Sequence, residues 1–123
     1  MLENDYIIKQ IDILINFLAK VLFKKDSAQF HNIKDENGNI TDTGQLYLKL
    51  HDLTDNGQIN DAEDLLFSEI EKEQRLDYLE LAVDFYNYLN EKDDNFLEDY
   101  DFSRQEIFDG MKDIQKIYGL DDV

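Results

Sequence analysis

The sequence predicts an all-α domain of about five main helices, with antiparallel helical hairpins packed against a long apolar N-terminal helix. Three observations carry this prediction. Apolar residues recur at helical spacing in five separate stretches, and no stretch alternates convincingly as a strand would. Proline is absent and glycine limited to five, so the connections are short turns built from Asp, Asn, Thr and Gly. A chain of 123 residues that is 42% hydrophobic, with 8 Phe and 7 Tyr, suffices for one core but not for two.

The first helix is expected over 5–25, capped by Asp5, with Ile7, Ile11, Leu14, Leu18 and Leu22 one turn apart. Ile8, Ile13, Ile15, Phe17 and Val21 widen this stripe, leaving Lys9, Asp12, Asn16 and Lys20 as the polar strip. A helix apolar over so much of its surface must be buried on several sides. A homodimer through residues 5–25 is therefore expected to cover what the other helices leave bare. A bilayer span is not expected, because a central Asp or Lys costs about 2.5–3.5 kcal/mol each.

Residues 26–42 read as an irregular loop, with turn residues from Lys34 to Thr41 that could close a short hairpin. Helical hairpins then fill 43–118. A helix from Thr43 to Asp55 carries Leu46, Leu50 and Leu53 and ends at Gly57, placed for a left-handed cap. The next starts at Asn60 as N-cap, with Glu63 completing a capping box and Ala62, Leu65, Leu66 and Ile70 turned inward. A fourth, Arg75 to Asn90, presents Leu76, Leu79, Val83, Tyr86 and Leu89, with Ala82 and Phe85 beside them. Asp94 starts one further turn through Leu97. Ser103 and Glu106 form a capping box for the last helix, which carries Ile107, Met111, Ile114 and Tyr118 and stops at Gly119.

Charge narrows the function. The net charge is -17, and it is uneven: residues 1–40 hold six acids and five bases, residues 41–123 twenty-three acids and seven bases. Such a surface repels phosphate backbones and anionic lipid, so neither nucleic acid nor membrane is an expected partner. Cysteine is absent, which excludes disulfides and thiolate metal sites. The acidic opening after Met1 is not the n-region of a signal peptide, and the chain reads as cytoplasmic.

One segment matches a metal-binding pattern. From Asp52 to Glu63, oxygen donors at Asp52, Thr54, Asn56, Asn60 and Glu63, the Gln58 carbonyl, Gly57 and Ile59 fall in the order of a twelve-residue calcium loop. Capping and packing explain the same residues: Leu53 as core, Gly57 as a helix end, Asn60 and Glu63 as caps. No metal or other cofactor is therefore expected, and calcium stands as the alternative. No catalytic signature is present either. His31 and His51 lack metal-ligand spacing, and no phosphate loop or nucleophile elbow occurs. The chain is expected not to be an enzyme.

Aromatic residues crowd the acidic half. Helical spacing turns Phe85, Tyr86, Phe108 and Tyr118 inward, while Tyr88 and Tyr100 are expected to be exposed. With Phe96 and Asp99 they form a candidate patch for a basic or aromatic protein partner. The expected function is thus a non-enzymatic protein–protein interaction module. An acidic mimic of nucleic acid, seated in a basic protein groove, is the further alternative.

Two resemblances accompany this reading. Gly57, Ile59, Ala62 and Leu65-Leu66-Phe67 resemble the turn and second helix of a tetratricopeptide-like unit, though its Trp, the mid-helix Gly of its first helix and its terminal Pro are missing. Met1-Leu-Glu-Asn-Asp5-Tyr6-Ile7, Gly57 to Glu63, Phe85-Tyr86-Asn-Tyr-Leu89-Asn90 and Asp101 to Ile107 together resemble a family of small acidic helical proteins of unknown function from Firmicutes. That resemblance implies a bacterial, cytoplasmic protein with a tetratricopeptide-like helical fold. It brings no activity, ligand or catalytic residue.

Overall fold

The computed structural model describes residues 2–121, with side chains from Asp5 onward. Six α-helices follow in order: α1 (Leu2–Phe23), α2 (Asp42–Asp55), α3 (Ile59–Lys72), α4 (Leu76–Glu91), the short α5 (Asp94–Asp99) and α6 (Arg104–Ile117). The fold is all-α. Among the described residues no strand forms, and the 26–41 segment holds a single antiparallel bridge between Lys34 and Ile40. Asp35 closes that turn by accepting the Asn37 and Asn39 N–H groups.

The central element is α4. It packs against α1, α2, α3 and α6, and ten of its sixteen residues are buried. The sequence places burial on several sides at the first helix; within one chain that degree of enclosure belongs to α4. Among the described side chains of α1 only Ile11, Ile15, Leu18 and Ala19 are buried, facing α4 and α6, and the opposite face is bare. The reason lies in α4's polar residues. Asp84 and Asn90 find hydrogen-bond partners inside the fold, so α4 can be enclosed without stranding a polar group. Leu76, expected inward, sits at the first position of α4 and is exposed.

The helix ends follow capping chemistry, with two corrections. Asp5 lies inside α1, which starts earlier, at Leu2. The helix stops at Phe23, because Lys24 turns left-handed (φ 54°) and the Lys25 N–H closes back on the Ala19 carbonyl. At α2 the Thr41 hydroxyl accepts the Gly44 N–H at 2.8 Å. Its other end is a Schellman motif: Gly57 N–H bonds Thr54 O and Gln58 N–H bonds Leu53 O. That motif feeds the chain directly into α3 at Ile59. Asn60 is therefore already helical and Gln58 is the N-cap, so the expected Asn60–Glu63 capping box does not form. The Ser103–Glu106 box on α6 forms in full, and Gly119 (φ 68°) ends that helix as expected.

Between α4 and α6 the packing has no slack. A Cβ at Gly110 would overlap the Tyr86 ring and hydroxyl. Tyr86 is fully buried and its hydroxyl donates to Glu63 at 2.6 Å, so the ring cannot yield. Gly110→Ala is expected to cost about 2–3 kcal/mol by overpacking, although alanine is the better helix former. A urea melt measures this; an unchanged or higher midpoint would show that the helices can separate freely.

Candidate functional site: an aromatic ladder across α2, α4 and α5

Three residue pairs spaced four apart share helix faces: Tyr47 and His51 on α2, Tyr88 and Lys92 at the end of α4, Phe96 and Tyr100 at α5. Packing α2 on α4 stacks His51 on Tyr88, with ring centroids 3.8 Å apart. Tyr47 lies 4.3 Å from His51 on one side, and Phe30 lies 5.8 Å beyond Tyr47. On the other side Lys92 Nζ sits 4.4 Å from the Tyr88 ring centre and 4.9 Å from that of Phe96. Phe96 and Tyr100 then meet at 5.0 Å. The result is one continuous ladder, Phe30–Tyr47–His51–Tyr88–Lys92–Phe96–Tyr100. Its contacts suit the quadrupoles of the rings, negative over the face where the ammonium rests.

Polar groups hold the ladder in place. Beneath it Asp84, only 4% exposed, accepts the Phe30 N–H at 2.8 Å and faces His51 Nε2 at 2.8 Å. One buried carboxylate thus ties the 26–30 segment, α2 and α4 together. Beside it the Tyr88 hydroxyl donates to Asp55 at 2.5 Å and Lys92 Nζ donates to the same carboxylate at 2.8 Å. Burial pushes the Asp55 carboxyl up, but the Lys92 and Tyr88 hydrogen bonds outweigh it and hold the group below its usual value. The Tyr88 phenol is pushed up, first by burial and then by Asp55. At the far end the Tyr100 ring lies over the α2–α3 turn, where a Cβ on Gly57 (φ 80°) would overlap it. At the near end a cleft of about 310 Å³ opens between Gln29, Tyr47, His51, Asp84, Tyr88 and Glu91.

The ladder gathers most of the expected patch. Tyr88, Phe96 and Tyr100 join through Lys92, and Asp99 is exposed at the last position of α5. Tyr100 is 43% exposed as expected, whereas Tyr88 is half-buried because it stacks on His51.

The calcium-pattern residues serve other partners. Thr54 is buried and its hydroxyl donates to the Leu50 carbonyl at 2.8 Å. Asn56 Nδ2 donates to the Asp52 carbonyl at 3.0 Å, and the Gln58 carbonyl accepts the Ala62 N–H. Glu63 points at Tyr86, and burial pushes its carboxyl above the usual value, with Glu106, Asp64 and Asp113 adding to the rise. Among the described residues, no three His, Asp or Glu side chains converge to hold a metal ion. Because the folded Glu63 pKa lies above its unfolded value, the native state binds that proton more tightly, and stability falls as pH rises from the unfolded value of 4.5 through the raised one. Glu63→Gln keeps an acceptor for Tyr86 and is expected to raise the melting temperature at pH 7, the gain shrinking as pH falls from the raised value toward 4.5. The wild-type melt is expected to be the same in calcium and in chelator. A calcium-dependent rise abolished by Glu63→Gln would assign Glu63 to a metal instead.

All six helices fall within the match to a family model. The model describes a family of unknown function (DUF6483) and matches residues 1–119. The chain belongs to that family. No curated protein and no solved structure matches it. For this member of DUF6483, then, site chemistry must come from the geometry. Among the described residues no helix is long and apolar enough to cross a membrane.

Tyr47, His51, Asp84 and Lys92 were not singled out as site residues by sequence reasoning. A signal was present: Asp84, Tyr88, Lys92, Phe96 and Tyr100 repeat every four residues. The run crosses the break between α4 and α5, so helical periodicity alone gave no reason to join its halves.

Proposed function

We propose that this protein is a non-enzymatic, cytoplasmic interaction module of tetratricopeptide-like construction, and that the ladder face docks a basic segment of another protein. The single observation behind this reading is the ladder itself, a run of stacked rings ending in exposed Tyr100 on a chain of net charge -17. Aromatic surface beside carboxylates (Asp55, Glu91, Asp99) suits arginine and lysine side chains, which stack on rings while pairing with acids. His51 packs against Tyr47 and Tyr88 with Nε2 on a buried carboxylate, which supports a structural role for the imidazole. The tetratricopeptide-like element is supported by α2 and α3, a hairpin joined at Gly57 with Ala62 fully buried.

The test is binding of a labelled peptide rich in Arg and Tyr, followed by anisotropy. The double variant Phe96→Ser, Tyr100→Ser is expected to weaken binding at least tenfold, about 1.4 kcal/mol. Equal binding by the variant, with all affinity lost in modest salt, would reduce the interaction to nonspecific charge.

The nucleic-acid-mimic reading has its own support. Glu63, Asp64, Glu106, Asp109 and Asp113 line a groove of about 330 Å³ between α3 and α6, with no basic side chain in its wall. Asp109→Asn with Asp113→Asn would abolish binding under that reading and spare it under the first.

A further inference from the structure

We infer that the bare face of α1 is where two copies of this chain meet, with the two α1 helices antiparallel about a twofold axis. Tyr6, Ile13, Phe17 and Val21 are 68%, 55%, 43% and 48% exposed, the main apolar surface that the monomer leaves uncovered on this helix. At 100° per residue they span one arc of α1, diametrically opposite the buried Ile11, Ile15, Leu18 and Ala19. Ile13, Phe17 and Val21 form a ridge at i, i+4 and i+8, the kind that interdigitates with the same ridge on a second helix. A contiguous apolar stripe of this kind marks an association surface.

Charge selects a second copy as the occupant. Two chains of net charge -17 repel over most of their surfaces. The exception is the segment bearing this stripe, since residues 1–40 balance six acids against five bases. A twofold axis lets the copies meet through this near-neutral face and keeps the acidic halves on the outside. Charge also selects the direction. Asp5 lies in the opening turns of α1, followed by Lys9, and Lys20 and Lys24 lie at its end and just beyond it, whereas Asp12 is held by Asn90 and Lys25 by Glu80 inside the monomer. Antiparallel packing sets the negative end of each copy beside the positive end of the other, and it opposes the helix dipoles favourably. Parallel packing would set like against like. This surface is independent of the ladder, because its variants leave every ladder residue in place.

Sedimentation velocity on the full chain from 1 to 100 µM tests the contact. The expected result is a species of twice the chain mass, with the dissociation constant raised at least tenfold by Phe17→Glu and likewise by Val21→Lys. Circular dichroism confirms that each variant keeps its fold, as replacement of exposed side chains should allow. A wild-type monomer at 100 µM overturns the proposal, whether or not it sediments with lipid vesicles. So does a dimer indifferent to both substitutions. Direction is read from the cysteine-free background. Phe17→Cys, at the middle of the ridge and so beside the twofold, is expected to oxidise to a covalent dimer, and Tyr6→Cys, far from it, is not. Equal cross-linking at both positions overturns the antiparallel arrangement.

Discussion

Asp84→Ala is expected to destabilise the protein by about 3 kcal/mol, since removing one partner of a buried pair strands the other. The loss leaves the buried Phe30 N–H without its acceptor and the half-buried His51 Nε2 without its carboxylate. Asp84→Asn keeps one oxygen for the Phe30 N–H and the same shape, so a smaller loss of about 1 kcal/mol is expected. Urea denaturation gives both values, with the midpoint moving and the slope unchanged. The ladder supplies a second readout. Freed from Asp84, His51 no longer holds its stack, and the near-ultraviolet dichroism of Tyr47 and Tyr88 should weaken more in the Ala variant than in the Asn variant. Equal stability of Asp84→Ala and wild type would mean that the 26–30 segment does not depend on this carboxylate.

Arg104→Met should have a comparable effect, about 3 kcal/mol, or a fall in melting temperature on the order of 10 °C. Arg104 is 7% exposed at the first position of α6. Its Nη1 donates to the carbonyl and side chain of Asn90 at 2.8 and 3.1 Å, and its Nη2 to the Lys92 carbonyl at 2.7 Å and to Asp94 at 3.0 Å. One guanidinium thereby satisfies the carbonyls that end α4 and pins the start of α5. Asn90 extends the network by donating to Asp12 and to the Ile8 carbonyl on α1. Methionine fills the volume but makes none of these bonds. Arg104→Lys is expected to recover only part of the loss, because an ammonium cannot reproduce the planar fork. Amide exchange should quicken first in residues 90–100. Uniform quickening along the whole chain would instead indicate that Arg104 serves general packing.

How legible the molecule is from its sequence follows from the range of the interactions. The Ser103–Glu106 box and the Gly57 and Gly119 stops were readable because each is decided within a few residues. The all-α class was readable because helical spacing repeats along the chain. Asn60 and Glu63 were misassigned for a reason of range: the turn at Gly57 sets where α3 begins, and Tyr86, twenty-three residues away, claims the Glu63 carboxylate. The bare and covered faces of α1 were not separable, since both are apolar and only the placement of α4 and α6 distinguishes them. At the site, Tyr88, Phe96, Tyr100 and Asp99 stood out as aromatic and acidic surface. His51 and Asp84 did not, because their meaning depends on contacts across 33 and 54 positions of sequence. Lys92 was invisible for a related reason: a lysine between rings is ordinary until the fold closes the rings around it.

The most direct measurement of the central claim is a nuclear magnetic resonance titration of the labelled protein with the Arg/Tyr-rich peptide at physiological salt. The ladder reading predicts saturable shifts concentrated at His51, Tyr88, Lys92, Phe96 and Tyr100, and their loss in the Phe96→Ser, Tyr100→Ser variant. Shifts spread evenly over the acidic helices, or centred on the Glu106–Asp113 side of α6 and indifferent to that variant, would contradict it.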